Sequence, residues 1–396
     1  MLSFAAFIAM TDTILQRISV PFEYPVVFTR SVFSPSNPVL QKTVCQKEPS
    51  RRHRILAVVD AGVARARPGL IEEIQGYASA YSERLELVHP PRVVTGGEAA
   101  KNDVMGLAAL INAMVERRLC RQSFVVVVGG GAVLDAVGFA AALVHRGLRL
   151  IRIPTTVLAQ CDSGVGVKNA INLNGVKNLV GTFAPPFAVV NDFDFLRTLP
   201  EGAWTDGIAE AFKVAIIKDR VFFDWLTSHA SDLRARDEQA MEYLIRRCAE
   251  LHLEHIRSHG DPFEFGSAKP LDFGHWSAHR LEAMSNYRIS HGRAVAIGLA
   301  LDAAYAVAKG WLSPADFDRL YLGLAQAGFE LWHELLEKKR DGELDLMRGL
   351  QEFQEHLGGD LSLTMPDGIG AAREVFEMDP ALIAASIAEL KRRAGR

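Results

Sequence analysis

FVVVVGGGAVLDAVGFAAALV, residues 124–144, is the stretch whose reading decides the fold. Phe124–Val128 is an unbroken apolar run bounded by glycine, the pattern of a strand inside a sheet covered on both faces. Gly129, Gly130 and Gly131 and then Asp135 interrupt the apolar character, so the segment reads as strand, turn and helix and not as a membrane span. The glycines admit two readings. They close a tight strand-to-helix turn with nothing bound, or they let a pyrophosphate approach the free N–H groups at the helix start. The spacing differs from the usual G-x-G-x-x-G fingerprint. Outward from this unit the same alternation recurs. RILAVVD, RLELVHPPRVVTGGE and LRLIRIPTTVL read as strands, while PGLIEEIQGYASAY and NDVMGLAALINAMVERR carry helical spacing. Strands alternating with helices predict a Rossmann-like parallel sheet with helices on both faces.

The lead-in, residues 1–50, is strand-bearing through YPVVFTRSVF. After FDFLRTLP the β-branched runs almost vanish, and successive helical patterns follow to PALIAASIAELKRR. The chain therefore divides near residue 198, into an α/β part (1–198) and an all-helical part (199–396). A length of 396 residues fits two such domains. With 49% hydrophobic and 23% charged residues, the composition is that of a globular protein. A formal charge of −3 leaves no basic footprint for nucleic acid. Cys45, Cys120, Cys161 and Cys248 are scattered, with no C-x-x-C pair, which fits free thiols in a reducing cytoplasm. MLSFAAFIAMTD lacks a basic n-region and is too short to span a bilayer; it reads as an unstructured leader or as a start placed before Met10.

Several polar groups gather where strands end. Asp60 closes LAVVD, where a carboxylate can accept from ribose hydroxyls, and Glu98 and Lys101 follow the Gly turn of TGGE. Residues 153–186 read as a long loop of little periodicity carrying Thr155, Thr156, Asp162, Lys168, Asn172, Lys177 and Asn178. Long loops of this kind tend to be functional, and these groups suit a polyhydroxy or phosphorylated ligand. LDFGHWSAHRLEAMSNYRISHGRAVAIG, residues 271–298, brings His275, His279 and His291 into one helical segment. With a carboxylate such as Glu210, one turn before Lys213, they offer the donor types of a divalent metal site. Histidines on helices also serve as plain core or surface residues, and His252, His255 and His259, though at helical spacing, are set aside as a ligand set.

In order, spacing and residue type, VVD, GGE, GGG…D…GF, RG…IPTT, D…G…K, KN…GTF…PP, AE…K, FGH…H and HGRAVAIG resemble the sugar phosphate cyclases, the superfamily of 3-dehydroquinate synthase. The resemblance implies a bound NAD and a catalytic zinc, for which cobalt can substitute. It implies zinc ligation by Glu210, His275 and His291, with His279 beside them. NAD contacts would fall to Asp60, Glu98, Lys101, Gly129, Gly130, Gly131, Asp135, Thr155, Thr156, Phe195 and Thr198. Substrate handling would fall to Asp162, Lys168, Lys177, Asn178 and Lys213. Arg146 matches a phosphate-binding arginine supplied across a homodimer interface.

The chain departs from the dehydroquinate synthase pattern in the substrate region. Where that pattern reads R-x-x-L-N-x-G-H, this chain has Ala268 and Asp272, and an aspartate facing a substrate carboxylate repels it. No lysine occurs between Lys218 and Lys269, leaving Arg257 as a partial substitute on the preceding helix. The lysine-rich C-terminal signature is replaced by EVFEMDPALIAASIAELK, H-G-E by HGR with Arg293, and Gly-Gly-Lys by Gly166-Val167-Lys168. These departures resemble the branch acting on sedoheptulose 7-phosphate to give C7 cyclitols. The alternatives are a 3-dehydroquinate synthase, a metal-dependent polyol dehydrogenase of the glycerol type, and a non-catalytic NAD-binding scaffold.

Overall fold

A computed structural model of the chain describes residues 14–174, 176–258, 263, 270–357 and 361–396. The leader, His259, Ala268 and Lys269 lie outside the described residues. The elements follow the alternation read from the sequence. They begin with β1 (Val26–Thr29), α1 (Val39–Cys45), β2 (His53–Asp60), α2 (Ala61–Ala66), α3 (Leu70–Ala80), β3 (Leu85–Leu87) and β4 (Arg92–Val94). Next come α4 (Ala99–Asn102), α5 (Val104–Glu116), β5 (Phe124–Gly129), α6 (Gly131–Leu143) and β6 (Arg149–Pro154). A hairpin, β7 (Lys168–Leu173) and β8 (Val176–Phe183), precedes β9 (Ala188–Asp192).

All pairings of the main sheet are parallel, in the order β1-β9-β6-β5-β2-β3, with β3 on the first half of β2 and β4 on the second. The valine-rich strands work because alternate residues feed opposite cores. Ile55, Ala57 and Val59 pack with Leu70, Ile74 and Tyr77 of α3. Leu56 and Val58 pack with Leu110 and Met114 of α5 and Val133 and Val137 of α6. The chain winds outward from β2 to β3 and β4, then returns to β5 on the other side. Crossovers thus diverge between β2 and β5, and such a switch point opens a crevice at the C-terminal strand ends.

Residues 153–186 differ from the loop expected. A π-helical turn, Ala159–Ser163, leads into the antiparallel β7–β8 hairpin. The signal was the Asn-Gly of LNGV, the strongest short-range hairpin pair. Asn174 adopts φ +53° there. The hairpin lies against α6, and a Cβ at Gly138 would stand 1.9 Å from Asn169 Oδ1. Only glycine permits that approach.

From Glu201 long helices take over: α7 (Glu201–Lys218), α8 (Arg220–Arg234), α9 (Glu238–Ser258), α10 (His275–Met284), α11 (His291–Ala308) and α12 (Pro314–Gln326). After two short strands, β10 (Lys339–Arg340) and β11 (Glu343–Leu344), come α13 (Arg348–Leu357), β12 (Leu363–Pro366), β13 (Ala372–Val375) and α14 (Pro380–Arg393). The second half is helical as expected, with two short antiparallel hairpins, β10–β11 and β12–β13, added to the helices. Leu363–Pro366 is buried throughout, and a Pro-Asp-Gly turn with Gly368 at φ +75° reverses the chain. Helix α7 is the centre of this half. Its Ile208, Phe212 and Ile216 are buried with residues from α8, α9 and α11, and also with Val157, Cys161, Phe193 and Leu196 from the sheet side. Among the described residues no helix is long and apolar enough to cross a membrane.

Candidate metal centre and active site

Glu210 lies midway along α7, while His275 and His291 are the first residues of α10 and α11. Three helices therefore deliver one donor each to one point. Glu210 Oε1 is 3.5 Å from His275 Nε2 and 3.4 Å from His291 Nε2, and the three donor atoms lie within 4.8 Å of one another. Glu210 is 1% exposed, and neither of its carboxylate oxygens has a hydrogen-bond partner of acceptable geometry. Its Oε2 is approached by the Lys213 ammonium. A buried carboxylate whose Oε1 faces two imidazole nitrogens without a hydrogen bond fits a divalent cation with three protein ligands and an open position.

The ring nitrogens away from this point are held. His275 Nδ1 lies 3.0 Å from Phe273 O, and His291 Nδ1 lies 3.1 Å from Glu282 Oε2. Donating Nδ1–H to oxygen leaves each Nε2 lone pair for the ion. Lys177 Nζ donates to the other Glu282 oxygen at 2.9 Å. Glu282 is thus the support of His291, a role the sequence reading missed; its signal was a carboxylate on the same helix as His275 and His279. Burial alone would raise Glu282, but hydrogen bonding to His291 and the Lys177 charge bring it down to about 2. Burial would lower His291, yet Glu210 and Glu282 raise it to about 10. The same logic applies to Glu210: burial raises it, and Lys213 with the two histidines holds it well below the usual range. His279, with Glu282 and His291, forms a second donor set. Both Glu282 oxygens are already engaged, so this set is the less open. The exposed His279 ring stands 5.4 Å from that of His275.

Backbone approach fixes the geometry. Gly274 has φ +77°, and a Cβ there would meet Leu299 N at 2.9 Å. A Cβ at Gly298 would meet Gly274 O at 2.1 Å, and one at Gly292 would meet Asp206 Cα and O at 2.3 Å. Asp302, 1% exposed, accepts from Gly274 N at 3.0 Å and from Trp276 Nε1 at 2.9 Å, bracing both neighbours of His275. Burial pushes its carboxyl up to about 7.

The candidate cofactor residues meet at the strand ends. A Cβ at Gly129 would stand 3.1 Å from Asp60 Cβ, and one at Gly96 would stand 2.3 Å from Asp60 Oδ1. Asp60 Oδ1 accepts from Gly62 N at 2.6 Å, so one oxygen caps α2. Gly130 is the N-cap of α6, and Gly131 abuts Ser163. Thr155 Oγ1 is buried without a partner, an orphan hydroxyl that suits a bound polar ligand. Thr156 Oγ1 accepts from Ala159 N, and Thr198 Oγ1 donates to Phe195 O. Lys101 and Asp135 are tied to each other at 2.5 Å, and Lys101 also donates to Asn178 Oδ1 at 2.8 Å. Glu98 accepts from Asn172 Nδ2. These five side chains hold α4, α6 and the hairpin together. Phe195 is 1% exposed and packs in the core with Val59 and Val190.

Of the residues expected to handle substrate, Asp162 lies with its Oδ2 3.5 Å from Lys213 Nζ. Asp272 is near enough to strengthen the Lys213 charge. Lys168 starts the hairpin with its side chain exposed. Lys177 is committed to Glu282, and its ammonium stacks 4.8 Å from the Tyr287 ring centroid. Arg146 is exposed at φ +63°, beyond the C-terminus of α6. Because α6 starts at the glycine turn and runs back along the sheet, Arg146 ends at the opposite edge from the cluster. Arg257 is exposed near the end of α9, and His252, set aside as a metal ligand, stands with its Nδ1 3.3 Å from Asp162 Oδ1. Arg152, fully buried within the strand LRLIRIP, donates to the carbonyls of Gly164, Gly166 and Lys168 and to Asn169 Oδ1. It knits the segment carrying Asp162 and Lys168 onto the sheet.

Family models match both halves of the chain. The 3-dehydroquinate synthase N-terminal model matches residues 91–206 and the C-terminal model residues 207–350. The 3-dehydroquinate synthase of Alkaliphilus metalliredigens (strain QYMF) is 34% identical over 285 residues, covering 72% of this chain and 78% of that protein. The solved 2-epi-5-epi-valiolone synthase of Streptomyces hygroscopicus subsp. jinggangensis 5008, with NAD+ and Zn2+ bound, is 28% identical. It superposes with a TM-score of 0.82 over 96% of this chain and 100% of its own. A 2-deoxy-scyllo-inosose synthase complexed with carbaglucose-6-phosphate, NAD+ and Co2+ shares the fold at 21% identity and a TM-score of 0.71, over 92% of this chain and 96% of that one. With matches to both domain models and a close relative along most of its length, the chain belongs to the 3-dehydroquinate synthase family of sugar phosphate cyclase enzymes.

Proposed function

We propose that the protein is an NAD- and zinc-dependent cyclase that converts sedoheptulose 7-phosphate to a C7 cyclitol of the 2-epi-5-epi-valiolone or demethyl-4-deoxygadusol type. Phosphate is eliminated and an intramolecular aldol addition closes the ring. The observation that carries this reading is Asp272 beside Lys213. Lys213 lies against Asp162 and Glu210, positions the family pattern shares, and Asp272, where the dehydroquinate synthase pattern has asparagine, adds its negative charge to theirs. A carboxylate added there can accept from a substrate hydroxyl and repels a substrate carboxylate. The likeness to the valiolone synthase, across nearly the whole of both chains, supports the same choice. The 34%-identical relative favours the second reading, a 3-dehydroquinate synthase, whose substrate carries a carboxylate.

In this reading residues 1–198 hold the dinucleotide and residues 199–396 the ion. Gly129, Gly130 and Gly131 would receive the pyrophosphate, Asp60 the ribose, and Glu210, His275 and His291 the metal. When bound, the ion supplies Lewis acidity and NAD takes and returns a hydride, so no external redox partner is needed. Lys213, kept cationic by its carboxylates, donates to a substrate oxygen on which negative charge develops. Asp162 and Asp272 orient hydroxyls, and Lys168 neutralises phosphate. Lys177 acts through Glu282 on His291. Arg146 can serve a phosphate only from a second copy of the chain, which makes a homodimer part of the proposal. The scattered free cysteines fit a cytoplasmic site.

Purified protein with catalytic NAD and zinc or cobalt, offered sedoheptulose 7-phosphate and the phosphorylated seven-carbon acid precursor of dehydroquinate separately, tests the reading by phosphate release. Release from the heptulose phosphate alone is expected. Release from the acid alone would assign a dehydroquinate synthase. Net NADH accumulation with glycerol would assign a polyol dehydrogenase, and inertness with NAD still bound a scaffold.

A further inference from the structure

The helix that precedes the metal loop carries a side chain that the reaction scheme above leaves unused. Helix α9 packs on the π-helical turn that bears Asp162 and on α7, which bears Lys213. Register along this contact is set by a pair one turn apart. Cys248 meets Cys161 side chain to side chain, and four residues later His252 meets Asp162, the next residue of the turn. His252 Nδ1 is 3.3 Å from Asp162 Oδ1, with side-chain exposures of 14% and 25%. Asp162 Oδ2 is 3.5 Å from Lys213 Nζ. The carboxylate is therefore held between an imidazole from α9 and an ammonium from α7. The other imidazole nitrogen, Nε2, faces Gly166, 3.4 Å from where a Cβ would stand.

We propose that His252 is a positioning residue for Asp162: its Nδ1–H, donated to Oδ1, fixes the orientation of the carboxylate and leaves Oδ2 for Lys213 and the substrate. The charged groups around the imidazole are Asp162, Lys213, Lys168 and Glu210. Burial and the two lysines lower its proton affinity, against the two carboxylates, so the ring donates as a neutral imidazole. A neutral donor holds Asp162 without cancelling its charge. An ammonium at this place would add a positive group to the pocket. The inference rests on the cyclase reading and deepens it, because a neutral imidazole at this place adds no cation for a substrate carboxylate.

The test compares His252→Asn and His252→Phe in the zinc- and NAD-loaded protein. The asparagine amide nitrogen can occupy the place of Nδ1, whereas phenylalanine fills the volume without a donor. His252→Phe should lower kcat for phosphate release about 10- to 100-fold with KM changed less than about threefold, as loss of a hydrogen bond to a charged group implies. His252→Asn should stay within about threefold of wild type. Full activity in His252→Phe, or equal loss in both variants, overturns the proposal. A second arm needs no substrate. Nitrogen NMR of histidine-labelled protein, assigned through the His252→Phe spectrum, should show a neutral His252 ring protonated on Nδ1, and Asp162→Ala should abolish that preference. A proton on Nε2, or no response to Asp162→Ala, overturns it. If wild-type protein releases no phosphate from sedoheptulose 7-phosphate, the functional reading fails while this arm still decides the role of His252.

Discussion

Replacing Gly292 with alanine should break the candidate metal centre without touching a ligand. Gly292 follows His291 in the first turn of α11. The added Cβ would stand 2.3 Å from both Cα and O of Asp206 and 2.6 Å from its carbonyl carbon. These are backbone atoms of α7, so no side chain can swing aside. Ordinary contact requires a separation of at least about 3.4 Å between such atoms, so α7 and α11 must part by about 1 Å. Asp206 lies one turn before Glu210 on the same helix. The movement therefore stretches the 3.4 Å spacing of Glu210 Oε1 and His291 Nε2, and also the 2.8 Å hydrogen bond from Ser290 Oγ to Asp206 Oδ1. Metal sites tolerate about 0.2 Å of misplacement. Overpacking alone costs about 1–3 kcal/mol of stability. Zinc affinity should fall by about 10- to 100-fold, the range seen when the support of a ligand is disturbed. Chelator competition measures that affinity, and thermal unfolding with and without zinc measures the coupling. NAD affinity, set at the strand ends, should stay as in wild type. The control is Gly202→Ala, whose Cβ meets nothing within 4 Å and which should gain up to about 1 kcal/mol of helix stability. Wild-type zinc affinity in Gly292→Ala would refute the argument that this close approach sets the ligand geometry.

Glu282→Ala frees the His291 ring and should weaken zinc binding by about 10- to 100-fold in the same chelator titration; unchanged affinity would show that Glu282 does not orient the ligand. Lys101→Met strands the buried Asp135 carboxylate and should cost about 3–5 kcal/mol at neutral pH by denaturant unfolding, with most of it recovered in Lys101→Met/Asp135→Leu. A loss under 1 kcal/mol in the single variant would contradict the pairing. Asp302→Asn tests pH dependence. Burial raises Asp302 from its ordinary 3.8 to about 7, so between those values the folded state holds a proton that the unfolded state has released. Stability from this group is complete below about pH 4 and is lost as pH rises toward 7, by up to about 4 kcal/mol. The wild-type advantage over Asp302→Asn should therefore shrink between pH 4 and pH 7.5, and a difference that stays flat with pH would remove Asp302 as the cause.

The fold was legible where local pattern and tertiary demand coincide. Phe124–Val128 is apolar throughout because both faces of β5 are covered, and the glycines after it are needed where the chain turns beneath Asp60. The β7–β8 hairpin was obscured because its strands carry the polar groups of a site, so Asn169, Asn172 and Lys177 break the alternation expected of a half-buried strand. The second half hid its hairpins for a different reason. LSLTMP is short, and only its Pro-Asp-Gly turn marks it as β.

The candidate site divides in the same way. The structure brings Glu210, His275 and His291 together. The two histidines stand beside Gly274 and Gly292, which the close approach of α10 to α11 and of α11 to α7 requires, whereas Glu210 was marked by the resemblance and by its place one turn before Lys213. Glu282, Arg152 and His252 act through contacts 9 to 105 residues distant in sequence, and nothing next to them in the chain announces the partner. His252 belongs to a helix whose pattern is fully explained by burying Met241, Leu244, Ile245, Cys248 and Leu251. A polar residue one position beyond such a stripe is an ordinary surface residue unless something charged faces it. Here the helix packs on a turn that leads with Cys161 and follows with Asp162, so a single register of α9 sends a thiol to the first and an imidazole to the second. The chemistry of the pocket is thus set by how two helices and a turn interlock, which is information carried by packing and absent from any one segment.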